Sequence, residues 1–174
     1  MTHTIILVGP RASGKTTVGK MLAARLNRHF IDTDDVVQKK TNKTIAQIVD
    51  EQGWERFREI ESQILKEVML SDAVVATGGG MVISEKNRHQ MKNNGIVFYL
   101  ATSAETVVAR LKSNPAVSQR PSLTGLSITE EITGIIEERD PLYLESAHYV
   151  IDANDANKDK AEVLQQIYAI CVPL

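Results

Sequence analysis

The chain has 174 residues, with 20 lysines and arginines against 22 aspartates and glutamates and a formal net charge of −2. That length suits one domain with a sizeable core, and the near-neutral balance leaves no electrostatic footprint for nucleic acid or an anionic membrane. With 43% hydrophobic and 24% charged residues and Cys171 as the single cysteine, the composition excludes disordered and fibrous classes, an intrachain disulfide and a thiolate metal cluster. That cysteine usage makes a reducing cytoplasm the expected setting, and residues from Met1 running straight into a strand-like segment without a signal-peptide pattern predict neither export nor membrane insertion. No apolar run approaches membrane-spanning length.

Thr4 to Val8 reads as a buried strand. Gly9-Pro-Arg-Ala-Ser-Gly14-Lys15-Thr16 follows at once, matches G-x-x-x-x-G-K-[ST], and opens the helix-like segment Lys15 to Leu26. Each part of this pattern meets a separate demand of a polyphosphate. Glycines let the backbone fold into a nest of N–H groups, the helix start adds partial positive charge, Lys15 reaches the β- and γ-phosphates, and Thr16 ligates Mg²⁺. Gly9, Ala12, Ser13, Gly14, Lys15, Thr16 and Thr17 are therefore candidates for the nucleotide site. A chance match would arise in about one in two hundred chains of this length at ordinary residue frequencies. The motif alone implies a triphosphate and no particular acceptor. A GTPase would carry N-K-x-D, whereas Asn42-Lys43-Thr44-Ile45 lacks the aspartate. A small-molecule kinase leads, with a non-catalytic nucleotide-binding module as the alternative from another class.

A second strand at Phe30 to Ile31 delivers Asp32-Thr33-Asp34-Asp35. Acidic residues beside bound ATP would repel it unless Mg²⁺ lies between them, which suits Asp32 to the metal shell and Asp34 to an acceptor hydroxyl. Asp34 also suits the N-cap of a helix over Asp34 to Lys40. Helices are expected over Thr44 to Gly53 and Trp54 to Leu70. The latter carries an apolar stripe of Trp54, Phe57, Ile64, Leu65 and Val68, with Glu61 on it and Arg58 three residues earlier. Glu61 either holds the Arg58 guanidinium toward a ligand or forms an ordinary surface pair with it.

A third strand, Ala73 to Thr77, ends in Gly78-Gly79-Gly80, which is either a tight turn or a backbone donor site open to close approach. A helix at Ser84 to Asn93, a strand at Ile96 to Leu100 and a helix at Ser103 to Lys112 follow. The least structured stretch, Ser113 to Ser127, has prolines at 115 and 121 and reads as a lid. Arg120 within it either closes over the transferring phosphate or is a solvated loop arginine. In the helix Thr129 to Leu144, Arg139 sits in the middle of an apolar face of Ile132, Ile135, Ile136, Leu142 and Tyr143. Its partner must be Glu137, Glu138, another internal carboxylate, or an anionic substrate. Two such arginines suit an acceptor that carries a carboxylate or phosphate. A strand at Tyr149 to Ile151 and a helix at Lys158 to Ile170 complete the chain. The alternation implies a three-layer α/β/α domain with a five-stranded parallel sheet, strands buried on both sides, and ligands beyond the strands' carboxyl ends.

The P-loop, Asp32-Thr-Asp34, Trp54-Glu-Arg-Phe57-Arg58 with Glu61, Ala76-Thr-Gly-Gly-Gly80, Arg120-Pro121 and Glu138-Arg139 with Tyr143 stand in the order and spacing found in shikimate kinases. The chain resembles that family along essentially its whole length, and within it the bacterial type II form. The resemblance implies the P-loop kinase fold of the nucleoside monophosphate kinases. It implies transfer of the ATP γ-phosphoryl group, with Mg²⁺, to the 3-hydroxyl of shikimate, giving shikimate 3-phosphate and ADP in the pathway to chorismate and the aromatic amino acids. By the family pattern Asp34 bonds the shikimate hydroxyls and acts as base or positions them, Arg58 and Arg139 hold the carboxylate, and Gly79 and Gly80 contact the acceptor through the backbone. Lys15 and Arg120 would stabilise the moving phosphoryl group, and Arg110 would lie against the adenine, with the segment after Asp152 as the other wall. Residues 1–174 would form one domain and act as a monomer, with an acceptor-binding segment at about 33–61 and the lid at about 113–125. Two departures fall in the lid: Ser122 where many members have leucine, and a longer stretch at Asn114 to Gln119. A kinase of the same fold acting on gluconate or a nucleoside monophosphate is the nearest alternative, and the two carboxylate-suited arginines favour shikimate.

Overall fold

Successive residues of a strand point to opposite faces of a sheet, and in this chain both faces are apolar. The computed structural model describes residues 3–69, 72–113, 127–154 and 160–172. Strands β1 (Thr4–Val8), β2 (His29–Asp32), β3 (Ala73–Ala76), β4 (Gly95–Ala101) and β5 (Tyr149–Asp152) form one parallel sheet in the order β2-β3-β1-β4-β5. The helices are α1 (Lys15–Leu26), α2 (Thr33–Thr41), α3 (Ile45–Val68), α4 (Glu85–Asn94), α5 (Ala104–Ser113), α6 (Ile128–Ser146) and α7 (Lys160–Cys171), with a 3₁₀ turn at Met81–Ile83 that the sequence pattern did not suggest. This is the expected five-stranded α/β/α architecture, with element ends displaced by no more than two residues.

The alternation sorts the strand residues into two cores. Ile5 and Leu7, with Val74, Phe98 and Leu100, pack against Val18 and Leu22 of α1 and Val163 and Ile167 of α7. Ile6 and Val8, with Val75, Val97 and Tyr99, pack against Val37 of α2, Phe57 and Leu65 of α3, Met91 of α4 and Tyr143 of α6. A third, small cluster of Val107, Val108, Leu111 and Ile132 joins α5 to α6. Burial of the strands on both sides holds for β1 and β3, whose every residue is buried, and fails at the sheet's edges. His29 in β2 and Tyr149 and Val150 in β5 are exposed, because an edge strand has a neighbour on one side only.

Helix α3 begins with a capping box in which Thr44 accepts from Gln47 N–H and Gln47 reaches back to the Thr44 N–H. It breaks at Gly53, where φ 80° and ψ 167° are far from helical, so the two expected helices meet where the sequence divides them. That region of φ/ψ space is essentially restricted to glycine, and a methyl added at Gly53 would meet nothing within 4 Å. Gly53→Ala is therefore expected to cost about 1–3 kcal/mol through backbone strain alone, read as a lower urea midpoint at unchanged m-value.

His148 closes the β4–β5 pair. Its N–H donates to Val97 O at 2.9 Å and its Nδ1 accepts the Val97 N–H at 3.1 Å, which requires a neutral ring. Burial, helped by Lys92, holds the imidazole below its ordinary value of 6.5. A folded state that favours the neutral ring keeps this contribution above pH 6.5 and loses it as the pH falls through the depressed folded value. Thermal midpoints measured from pH 7.5 downward should fall through that window, and the fall should be shallower in His148→Asn, which accepts without titrating.

Candidate active site

The strand order reverses next to β1, and the carboxyl ends of β1, β2 and β3 bring three loops together there. The P-loop leaves β1 at Gly9, φ 146°, passes Ala12 in a left-handed conformation, φ 58°, and enters α1 through Gly14, φ 99°. Among the described residues no side chain caps α1, and its first N–H groups and its dipole face the loop. Ser13 is buried, and Lys15, also buried, donates from Nζ to Gly9 O at 2.9 Å, Pro10 O at 2.7 Å and Ser13 Oγ at 3.3 Å. Thr16 and Thr17 are exposed in the first turn of α1.

Thr16 Oγ1 donates to Asp32 Oδ2 at 2.8 Å, while Asp32 Oδ1 accepts the Asp34 N–H at 3.0 Å. The cap of α2 is thus Asp32, and the capping alternative for Asp34 is set aside: Asp34 lies in the first turn of the helix. No group of three or more His, Cys, Asp or Glu suited to a metal occurs among the described residues. Two adjacent hard oxygens beside a phosphate loop fit Mg²⁺, an ion that keeps waters and phosphate oxygens for most of its coordination.

The glycine run meets both other loops. A Cβ at Gly78 would lie 2.8 Å from Asp34 Oδ1 and 2.8 Å from Glu61 Oε1, so these two carboxylates border one spot. At Gly79 it would lie 3.5 Å from Arg11 N and 3.5 Å from Gly9 O of the P-loop, and at Gly80 it would overlap the Arg58 guanidinium. Arg58 pairs with Glu61, whose side chain is only 2% exposed, so this is no surface salt bridge. The Arg58 guanidinium also lies 5.4 Å from the Trp54 ring. Arg139 is partly buried, its Nε is enclosed without a hydrogen-bond partner among the described residues, and Glu137 and Glu138 are exposed. Arg110 donates to Ala12 O at 3.0 Å and to Ala153 O at 2.9 Å, tying the P-loop to the turn after β5. Arg120 and residues 114–126 of the expected lid stretch lie outside the described residues, Ser113 ending α5 and Ser127 capping α6.

The family model for shikimate kinase matches residues 11–171. The chain belongs to the shikimate kinase family. Shikimate kinase 2 of Enterobacter sp. (strain 638) is 49% identical over 154 residues, spanning 88% of each chain, in keeping with the type II resemblance. A structure of shikimate kinase from Acinetobacter baumannii in complex with shikimate superposes with a TM-score of 0.88 at 36% identity, covering 99% of this chain and 94% of that one. A gluconokinase from Sinorhizobium meliloti 1021, at 15% identity and a TM-score of 0.57 over 99% of this chain and 93% of its own, shares the fold and argues nothing about the acceptor. As a shikimate kinase the protein is an ATP-dependent phosphotransferase of the shikimate pathway, which serves aromatic amino-acid biosynthesis.

Two groups that shape this shikimate kinase site escaped the sequence reading. Thr33, wholly buried, accepts the Gly78 N–H on Oγ1 at 2.9 Å and so ties the acidic loop to the glycine run. Its signal is a small hydroxyl between two aspartates at a strand end, which reads equally well as helix-start material. Asp140 accepts from the Tyr99 hydroxyl at 2.6 Å, a contact across 41 residues that no local pattern announces.

Proposed function

We propose that this site transfers the γ-phosphoryl group of ATP to the 3-hydroxyl of shikimate, with the P-loop holding the donor and the residues around Gly78 to Gly80 holding the acceptor. The observation that carries this reading is the convergence on one glycine run of Asp34 and Glu61 at Gly78, the P-loop backbone at Gly79 and Arg58 at Gly80. Phosphoryl transfer needs aligned oxygens and stabilised charge more than covalent help. Gly9, Ala12, Ser13, Gly14, Thr16 and Thr17 surround the nucleotide phosphates on this reading, and Lys15 exchanges its loop acceptors for phosphate oxygens. Thr16 and Asp32 would hold Mg²⁺, which when bound supplies positive charge to the phosphate oxygens. Arg58 and Arg139 bind the acceptor carboxylate, and Gly79 and Gly80 offer it backbone donors. Asp34 accepts the proton of the hydroxyl as its oxygen bonds to phosphorus and ADP leaves with the electron pair of the broken bond.

In the same way Arg110 and the turn after Asp152 serve the adenine, segment 33–61 the acceptor, and Arg120 with the lid at about 113–125 the transferring phosphate, within one domain spanning 1–174. The same proposal takes the protein to act as a monomer. Cys171, the single cysteine, is buried, and a reducing cytoplasm is the setting that goes with such cysteine usage.

ADP release should be measured with ATP, Mg²⁺ and shikimate, gluconate or a nucleoside monophosphate. Shikimate alone should stimulate it, with phosphorus on the 3-oxygen by NMR. A rate indifferent to shikimate would overturn the assignment.

A further inference from the structure

The carbonyls of the glycine run are all engaged. Gly78 O accepts from Met81 N–H at 3.0 Å and Gly80 O from Ile83 N–H at 3.1 Å, both within the 3₁₀ turn, whereas Gly79 O accepts from the Tyr143 hydroxyl at 2.6 Å. That third bond arrives from α6, 64 residues away. Gly79 C=O and Gly80 N–H are opposite ends of one trans peptide plane, so a hydroxyl that fixes the first also fixes the direction of the second. With glycine on both sides the plane can rotate at little steric cost. Rotation would turn a carbonyl dipole, instead of an N–H, toward the side of Gly80 that faces away from Tyr143.

We propose that Tyr143 is a positioning residue for acceptor recognition, its hydroxyl locking the Gly79–Gly80 peptide so that the Gly80 N–H faces the anionic acceptor. The proposal rests on the assignment of Gly80 to acceptor binding given above. The phenol is itself held in place: Tyr143 is 1% exposed, its ring stacks on Tyr99 at 5.0 Å, and the Tyr99 hydroxyl is tied to Asp140. Burial pushes the Tyr143 hydroxyl up to about 12 against the opposing pull of Arg139 and Arg58, so it remains a donor throughout the working pH range. Both guanidiniums that act on this hydroxyl belong to the arginines expected to hold a carboxylate.

Tyr143→Phe keeps the ring and removes the bond. Calorimetry should show shikimate binding weakened by about tenfold, with ADP binding within about twofold of the parent. For the uncharged methyl ester of shikimate the loss should be under about threefold, since a misdirected carbonyl repels an anion most. Equal losses for shikimate and ester, unchanged shikimate binding, or a parallel loss of ADP binding would each overturn the proposal and leave Tyr143 a packing residue. Titrations are run well below each variant's own thermal midpoint, and Tyr143→Met, which fills the core without a hydroxyl, serves if the phenylalanine variant does not fold. If the parent protein itself fails to bind shikimate, the functional assignment falls instead.

Discussion

Asp34→Asn is expected to lower kcat for shikimate phosphorylation by about 10²- to 10⁴-fold, the usual contribution of a positioned general base. KM for ATP should change little, because the groups around the P-loop are untouched. The substitution is informative because the cap of α2 is Asp32, leaving Asp34 no duty at the helix end beyond its charge near the dipole. That charge contributes about 0.3–1 kcal/mol. Asparagine retains an acceptor for the hydroxyl and loses the ability to take its proton. Initial rates of ADP release at saturating ATP and shikimate decide the point: a loss under about tenfold would reduce Asp34 to an orienting group.

Arg139→Ala should lower kcat/KM for shikimate by about 10²- to 10³-fold, since truncating one partner of an enclosed charge pair costs about 2–5 kcal/mol of binding. The Kd of ADP should be unchanged. Stability separates this arginine from its counterpart. Arg139 is tied to the fold by its interaction with the Tyr143 hydroxyl, while its Nε is enclosed without a partner among the described residues, so its removal should lower the urea midpoint only slightly. Arg58→Ala, by contrast, takes the ion-pair partner from a carboxylate whose side chain is 2% exposed, and is expected to cost about 1–3 kcal/mol of folding stability as well as acceptor binding. Equal destabilisation by the two variants, with loss of ADP binding in both, would reassign the arginines to folding.

The parts of the molecule legible in the sequence are those whose physics is local. The P-loop turn could be read because its glycines, lysine and threonine stand within eight consecutive residues, and the partial burial of Arg58 and Arg139 could be read because a charge on an apolar helical stripe is conspicuous on its own helix. The split at Gly53 was legible for the same reason: the residue and the conformation it permits occupy one position. Contacts between distant segments were not legible. Thr33 meets Gly78 across 45 residues and Tyr143 meets Gly79 across 64, and the residues at each end also look like ordinary helix or core material. That the cap is Asp32 and not the expected Asp34 is a difference of two residues, finer than pattern spacing can resolve. The exposed edges followed from strand order, which alternating segments do not specify.

The sheet is also a partition. The P-loop helix α1 is bedded on the core of Ile5, Leu7 and Leu22, whereas α2, α3 and α6, which carry Asp34, Arg58, Glu61 and Arg139, are bedded on the core of Ile6, Val8 and Phe57. The residues proposed to serve the donor and those proposed to serve the acceptor thus stand on opposite sides of one wall and meet along its rim. Repacking beneath α2 and α3 can reshape the acceptor cradle while the nucleotide cradle keeps its own foundation. Divergence toward a new acceptor therefore has a route that leaves the use of ATP intact.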